Sequence, residues 1–197
     1  MKKIEKIKSF NVAMKNMVTI SKMLETYGLT VNYKSTNKRN RNFTINVYKR
    51  IITIPKDIDY GNKYDLYAIC HEIGHYIDCR LIFKDSKWRR IIKGEIKAWQ
   101  FGKREYEIYF GEITQEMKED SIHSLLSHIG YHRYKFLEQE REKKIQKLIK
   151  EKTALNRFDA VNKLGEDGKV PMVIYHYEEA IENKENVIKH LNKLLGY

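Results

Sequence analysis

The stretch that most constrains this chain is His71-Glu72-Ile73-Gly74-His75, within the run from Tyr67 to Ile77. On a helix, residues four apart lie about 40° apart around the axis, so both imidazoles can reach one metal ion. Glu72, directly after the first histidine, is placed to take a proton from a water that the ion activates. The plainer alternative is a chance helical match whose histidines finish a buried face.

Around this pentad the chain reads as a globular protein. Its 197 residues are 42% apolar and 32% charged, enough to bury a core and unlike a disordered chain. No apolar run approaches the length of a membrane span. The basic start, from Ile4 to Lys22, mixes charges into its apolar positions and lacks a signal-peptide core. The expected location is therefore intracellular, in the cytoplasm.

Cys70 and Cys79 are the only cysteines, and nine helical residues set them about 13 Å apart along the axis, too far for a disulfide. Both are expected to pack as small apolar groups, away from the His71/His75 face. The net charge of +12 is unevenly placed: the first fifty residues carry twelve Lys or Arg against Glu5 and Glu25 alone. A basic segment of this kind suits contact with nucleic acid or an acidic protein, and equally a solvated surface.

Residues 2–27 have apolar positions at helical spacing (Ile4, Ile7, Phe10, Met14, Met17, Met23 or Leu24, Tyr27), with Gly28 as a stop. Leu29–Tyr33 reads as a short strand and Lys34–Asn42 as a polar, basic loop. Phe43–Tyr48 and Ile52–Ile54 alternate with period two, which predicts an antiparallel pair closed at Pro55. Either Phe43–Tyr48 or Ile51–Ile54 is a candidate edge for adding a substrate backbone as a further strand. The motif helix is expected from Lys63 to Cys79, after a turn at Asp59–Gly61.

A second helix is expected from Trp88 to Tyr109, weakened by Gly94 and Gly102, and a third from Glu112 to His132, interrupted near Gly130. The charged stretch Tyr134–Lys152 reads as a separate surface or paired helix, with Thr153–Leu164 continuing the pattern. A turn at Gly165–Gly168, a short strand at Val170–Tyr175 and a helix from Glu178 to Leu195 close the chain. A soft boundary near 130–135 divides a catalytic domain, residues 1–132, from a helical extension, residues 133–197.

A catalytic zinc usually takes three protein ligands and keeps one position open. The best third candidate is Glu95, in Glu95-Ile96-Lys97-Ala98-Trp99, with Ala98 one turn along to let the second helix approach. Two neutral imidazoles and one carboxylate leave the ion enough positive charge to acidify a water and polarise a carbonyl. His123, His128 and His132 are the other candidate ligands. His128, His132 and Tyr131, with Tyr134, are also candidate donors to a developing oxyanion, or ordinary residues of a helix face.

The order helix, sheet, HExxH, ExxA resembles the ImmA/IrrE family of phage and mobile-element zinc metallopeptidases. The resemblance rests on Met23–Gly28, on Tyr67–Ile77, and on Glu95-Ile-Lys-Ala98-Trp99-Gln-Phe101-Gly102, and covers roughly residues 15–110. The family pattern E-x-x-A-N-x-F-A is matched at Glu95, Ala98 and Phe101. It departs at Trp99, where Asn is usual, and at Gly102, where Ala is usual. The fold implied is α+β: a zincin-like core with a small antiparallel sheet packed on the HExxH helix, plus a mainly helical C-terminal extension. By the same resemblance His71, His75 and Glu95 bind Zn2+, and Glu72 is general base and then acid, in a gluzincin-type endopeptidase. The substrate class implied is a protein regulator such as a DNA-bound repressor. Two other classes compete: an idle zincin-fold binding or structural protein of a phage or mobile element, and a nucleic-acid-binding protein resting on residues 1–50.

Overall fold

The computed structural model describes residues 2–35, 43–78, 88–164, 181 and 183–197. The fold is α+β. The elements are α1 (Lys2–Thr26), β1 (Thr30–Lys34), β2 (Thr44–Asn46), β3 (Ile51–Pro55), α2 (Lys63–Asp78), α3 (Trp88–Phe110), α4 (Gln115–Lys150), α5 (Arg157–Leu164) and α6 (Lys184–Leu195). They form two compact units, Met1–Ser121 with Leu194–Tyr197, and Ile122–Lys193. The junction expected near 130–135 falls inside α4.

The first unit begins with α1, which ends where the sequence expects it to. Gly28 takes a left-handed φ of 63°, and Gly28 N and Leu29 N donate to Glu25 O and Leu24 O, closing the helix with a 5→2 and a 6→1 bond respectively. Only the C-terminal half of α1 buries its apolar face, through Ile20, Met23 and Leu24. The expected stripe further back, Ile7, Phe10 and Met14, is exposed.

The sheet order is β1-β3-β2, with β1 parallel and β2 antiparallel to β3. This corrects the expectation of a purely antiparallel sheet: the pair β2–β3 is antiparallel, but the first strand joins the other side of β3 in parallel. It also corrects the candidate edges, since Ile51–Ile54 is central. The most apolar strand takes the middle, where Ile52 and Ile54 are fully buried. Pro55 ends it, having no N–H to give to a ladder. β2 is shorter than its alternation suggests, because Asn46 Oδ1 accepts from Lys49 N and Arg50 turns left-handed at φ 55°.

α2 starts on a polar frame. Asn62 Oδ1 caps Tyr64 N at 2.9 Å, while the buried Asp65 carboxylate accepts from Asp59 N at 3.0 Å. One face of α2 is then continuous core: Leu66, Tyr67, Ile69, Cys70 and Ile73 are each at most 2% exposed. Burial pushes the Cys70 thiol well above its ordinary pKa, with the Glu105 carboxylate adding to the effect. It is a packed thiol, as expected; Cys79 lies outside the described residues.

α4 is one helix of 36 residues, which corrects the expectation of two helices broken near Gly130. A single glycine costs a helix only about 1 kcal/mol relative to alanine. Pairs one turn apart, Lys135–Glu138, Glu140–Lys143 and Lys147–Glu151, line its charged half. In the second unit Ile145, Ala154 and Ala160 form a small core with Leu148, Ile149, Val161 and Leu164. α5 is a separate helix rather than a continuation, with Asn156 Oδ1 capping Asp159 N and Asp159 accepting from Leu155 N. The turn at 165–168 and the strand at 170–175 lie outside the described residues. Among the described residues no helix is long and apolar enough to cross a membrane.

Candidate metal centre

Small residues decide how closely α2 and α3 pack, and that closeness creates the site. A Cβ placed on Gly74 would lie 2.6 Å from Ala98 O and 2.8 Å from Ala98 Cα. A Cβ on Gly102 would lie 2.9 Å from His71 N and 3.0 Å from His71 Cα. Carbon contacts are comfortable at about 3.5–4.0 Å, so neither position has room for a side chain. Glu95, Ala98 and Gly102 follow one face of α3, and His71, Gly74 and His75 follow the facing side of α2. The seam runs along these residues, and at its end Glu95 reaches the two histidines.

Three side-chain atoms converge there. His71 Nε2 and His75 Nε2 are 3.0 Å apart, and Glu95 Oε2 lies 3.4 Å from the first and 3.3 Å from the second. Ligands about 2.0–2.1 Å from a tetrahedral zinc are about 3.3–3.4 Å from one another, so the three separations suit one face of such a tetrahedron. Three lone-pair-bearing atoms this close require a proton or a cation among them, because they otherwise repel. The His71 side chain is 9% exposed, Glu95 12% and His75 20%, so the cluster opens to solvent on the His75 side.

Glu72 projects from α2 one residue past His71. One of its carboxylate oxygens lies within 4.8 Å of a ring nitrogen of each histidine. Burial pushes its carboxyl up from the ordinary 4.5 to about 7; His75 opposes the shift and the Glu95 charge adds to it. The two glutamates are thus unlike each other. Glu95 sits against both imidazoles, and Glu72 is a half-buried carboxyl of raised pKa beside them.

Behind the histidines stands an aromatic stack that the motif alone does not reveal. The Trp99 indole lies against the His71 ring at 4.0 Å between centroids and 30° between planes. Tyr67 packs on Trp99 at 5.0 Å, and Tyr106 meets Tyr67 edge-on at 5.6 Å. The far end is tied by the last residue: Tyr197 Oη lies 3.0 Å from Tyr67 Oη and 2.7 Å from Ser121 Oγ, whose hydroxyl also donates to Lys118 O. Gln100 and Lys103 of α3 donate to Leu194 O and Gly196 O, both at 2.7 Å, and hold this segment on the first unit. Tyrosine spacing gives no sign of this anchor, because its partners are 130 and 76 residues apart in sequence.

His123, His128, Tyr131 and His132 all lie on α4 beyond Ser121, in the second unit. Tyr131 is exposed and its ring meets His132 edge-on at 5.4 Å. His190 is exposed on α6, and His176 lies outside the described residues. Compared with protein-family models, curated proteins and solved structures, the chain matches none.

Proposed function

We propose that the first unit is a zincin-like core and that the protein is a zinc-dependent endopeptidase, with His71, His75 and Glu95 holding the ion. The observation that carries this is the triangle of donor atoms at 3.0, 3.3 and 3.4 Å, two imidazoles and one carboxylate brought together from two helices. The donor set suits zinc, which takes nitrogen and oxygen ligands at these separations. When bound, zinc supplies Lewis acidity, lowering the pKa of a water and polarising a carbonyl.

The chain's own residues do the rest. Glu72, ionised, takes a proton from the attacking water as its oxygen bonds to the peptide carbonyl carbon. The C–N bond then breaks, and Glu72 passes that proton to the leaving nitrogen, returning to its charged form. A carboxyl raised towards neutrality by burial is matched to both halves of this transfer. β2 is an edge strand among the described residues and packs on α2, so a substrate backbone added to it would run alongside the motif helix. The sequence resemblance points to protein regulators of phage or mobile elements, including DNA-bound ones, as the substrate class.

The test pairs two substitutions. Glu72→Gln is expected to keep zinc and lose cleavage by about 10²–10⁴-fold, while His71→Ala loses both. Partners trapped by Glu72→Gln in the host serve as substrates for the wild-type chain. A Glu72→Gln protein as active as wild type would refute the mechanism, and zinc without cleavage of any trapped partner would favour an idle zincin-fold binding protein.

A further inference from the structure

Resting on the zinc reading above, we propose that Trp99 is a positioning residue for the metal site: its indole fixes the orientation of the His71 ring and raises the affinity for the ion. The torsion that turns an imidazole about its Cβ–Cγ bond has a broad, shallow minimum, so a ligand histidine needs something outside the ring to aim its Nε2. Metal-bound histidines are commonly oriented by a hydrogen bond from their other nitrogen. Here a large flat surface is in place to do the same work on the ring face.

The geometry is specific to that role. Trp99 and His71 are close to parallel, 30° apart with centroids at 4.0 Å, while His75 meets His71 edge-on at 79° and 4.5 Å. The indole thus covers a face of the His71 ring, while His75 meets that ring at its Nε2 edge, 3.0 Å between the two nitrogens. Trp99 cannot swing away, since it is 6% exposed and backed by Tyr67. Its place is fixed by the backbone as well: Ala98 just before it lies against Gly74, and Gly102 one turn later lies against His71. An indole face is electron-rich, and an imidazole that has given its lone pair to a cation is electron-poor, so the stack strengthens when the ion binds. The indole Nε1–H is buried with no acceptor among the described residues, so the contribution lies in the ring face rather than in a hydrogen bond.

That last point makes phenylalanine the informative control, because Trp99→Phe keeps an aromatic face and breaks no hydrogen bond among the described residues. The experiment is zinc titration of the full chain against a chelator of known affinity, together with the visible spectrum of the cobalt-substituted protein. Trp99→Ala is expected to bind zinc about 10–100-fold more weakly and to show an altered cobalt spectrum. Trp99→Phe should restore the spectrum and most of the affinity, which simple loss of folding stability would not explain.

A folded Trp99→Ala protein with wild-type zinc affinity and cobalt spectrum would overturn the proposal while leaving the zinc site intact. Should the alanine variant fail to fold, the emission of Trp99 in a Trp88→Phe background decides. A change saturating at one zinc per chain supports the contact, and no change overturns it. A wild-type chain that binds no zinc overturns the site itself and the proposal with it.

Discussion

Replacing Gly102 by alanine adds one methyl group and tests whether the α2–α3 seam sets the metal site. In an exposed helix interior the change would stabilise the protein by about 1 kcal/mol, since alanine is the better helix former. Here the new Cβ would sit 2.9 Å from His71 N and 3.0 Å from His71 Cα, and the obstacle is backbone, which cannot rotate away. Relieving the contact to about 3.5 Å requires the helices to separate or tilt by roughly half an ångström. Overpacking of this kind costs about 1–3 kcal/mol, so the propensity gain is offset or outweighed and a net loss of about 0–2 kcal/mol is expected. The same displacement moves Glu95 relative to two nitrogens now 3.3 and 3.4 Å away, whereas ligand distances tolerate only about 0.2 Å. Zinc affinity should therefore fall by about 10-fold or more. The assays are urea unfolding of the metal-free chain and zinc competition titration. A Gly102→Ala protein that is stabilised by about 1 kcal/mol and binds zinc as wild type would refute the close approach and its link to the site.

Two further outcomes follow from the same geometry. Glu72 must be ionised to act as base, so cleavage is lost as pH falls through its pKa. Burial raises that pKa to about 7, and the charge of a bound ion pulls it down, which sets the midpoint of the acid limb of kcat/KM below about 7. Residual activity of zinc-saturated Glu72→Gln that keeps the same acid limb would remove Glu72 from that role. Tyr197→Phe removes the hydroxyl shared by Tyr67 and Ser121, leaving two buried groups short of a partner, and should cost about 1–3 kcal/mol in chemical unfolding with zinc stoichiometry unchanged. A variant of wild-type stability would mean that the anchor contributes nothing.

Local signals in the sequence carried a good part of this fold. Gly28 marks the end of α1, the alternation of Ile52 and Ile54 marks β3, and the turn at Asp59–Gly61 marks the start of α2, each because the deciding interaction spans only a few residues. What local signals could not reveal was which side of β3 the first strand would join. Thr30 pairs with Ile51 across twenty-one positions, and that choice depends on how the sheet covers the helices. Gly130 misled for a related reason: a glycine read in isolation breaks a helix, but the long run of favourable neighbours around it does not let it. At the site, the residue types of His71, Glu72, His75 and Glu95 were readable from spacing alone. Gly102 was visible as a weak point of its helix and, like Trp99, as a departure from a pattern. The contacts explain both: one has no room for a methyl group, and the other stacks on a histidine.

Metal analysis of the full chain tests the central claim most directly. Purified without chelator and dialysed against zinc-free buffer, the wild-type protein should retain one zinc per chain, and so should Glu72→Gln, whereas His75→Ala and Glu95→Ala should lose it. A folded wild-type chain that takes up no zinc would contradict the assignment outright. Wild-type zinc retention by Glu95→Ala would instead strike the carboxylate from the donor set and, with it, the reason for the seam that brings α3 to the histidines.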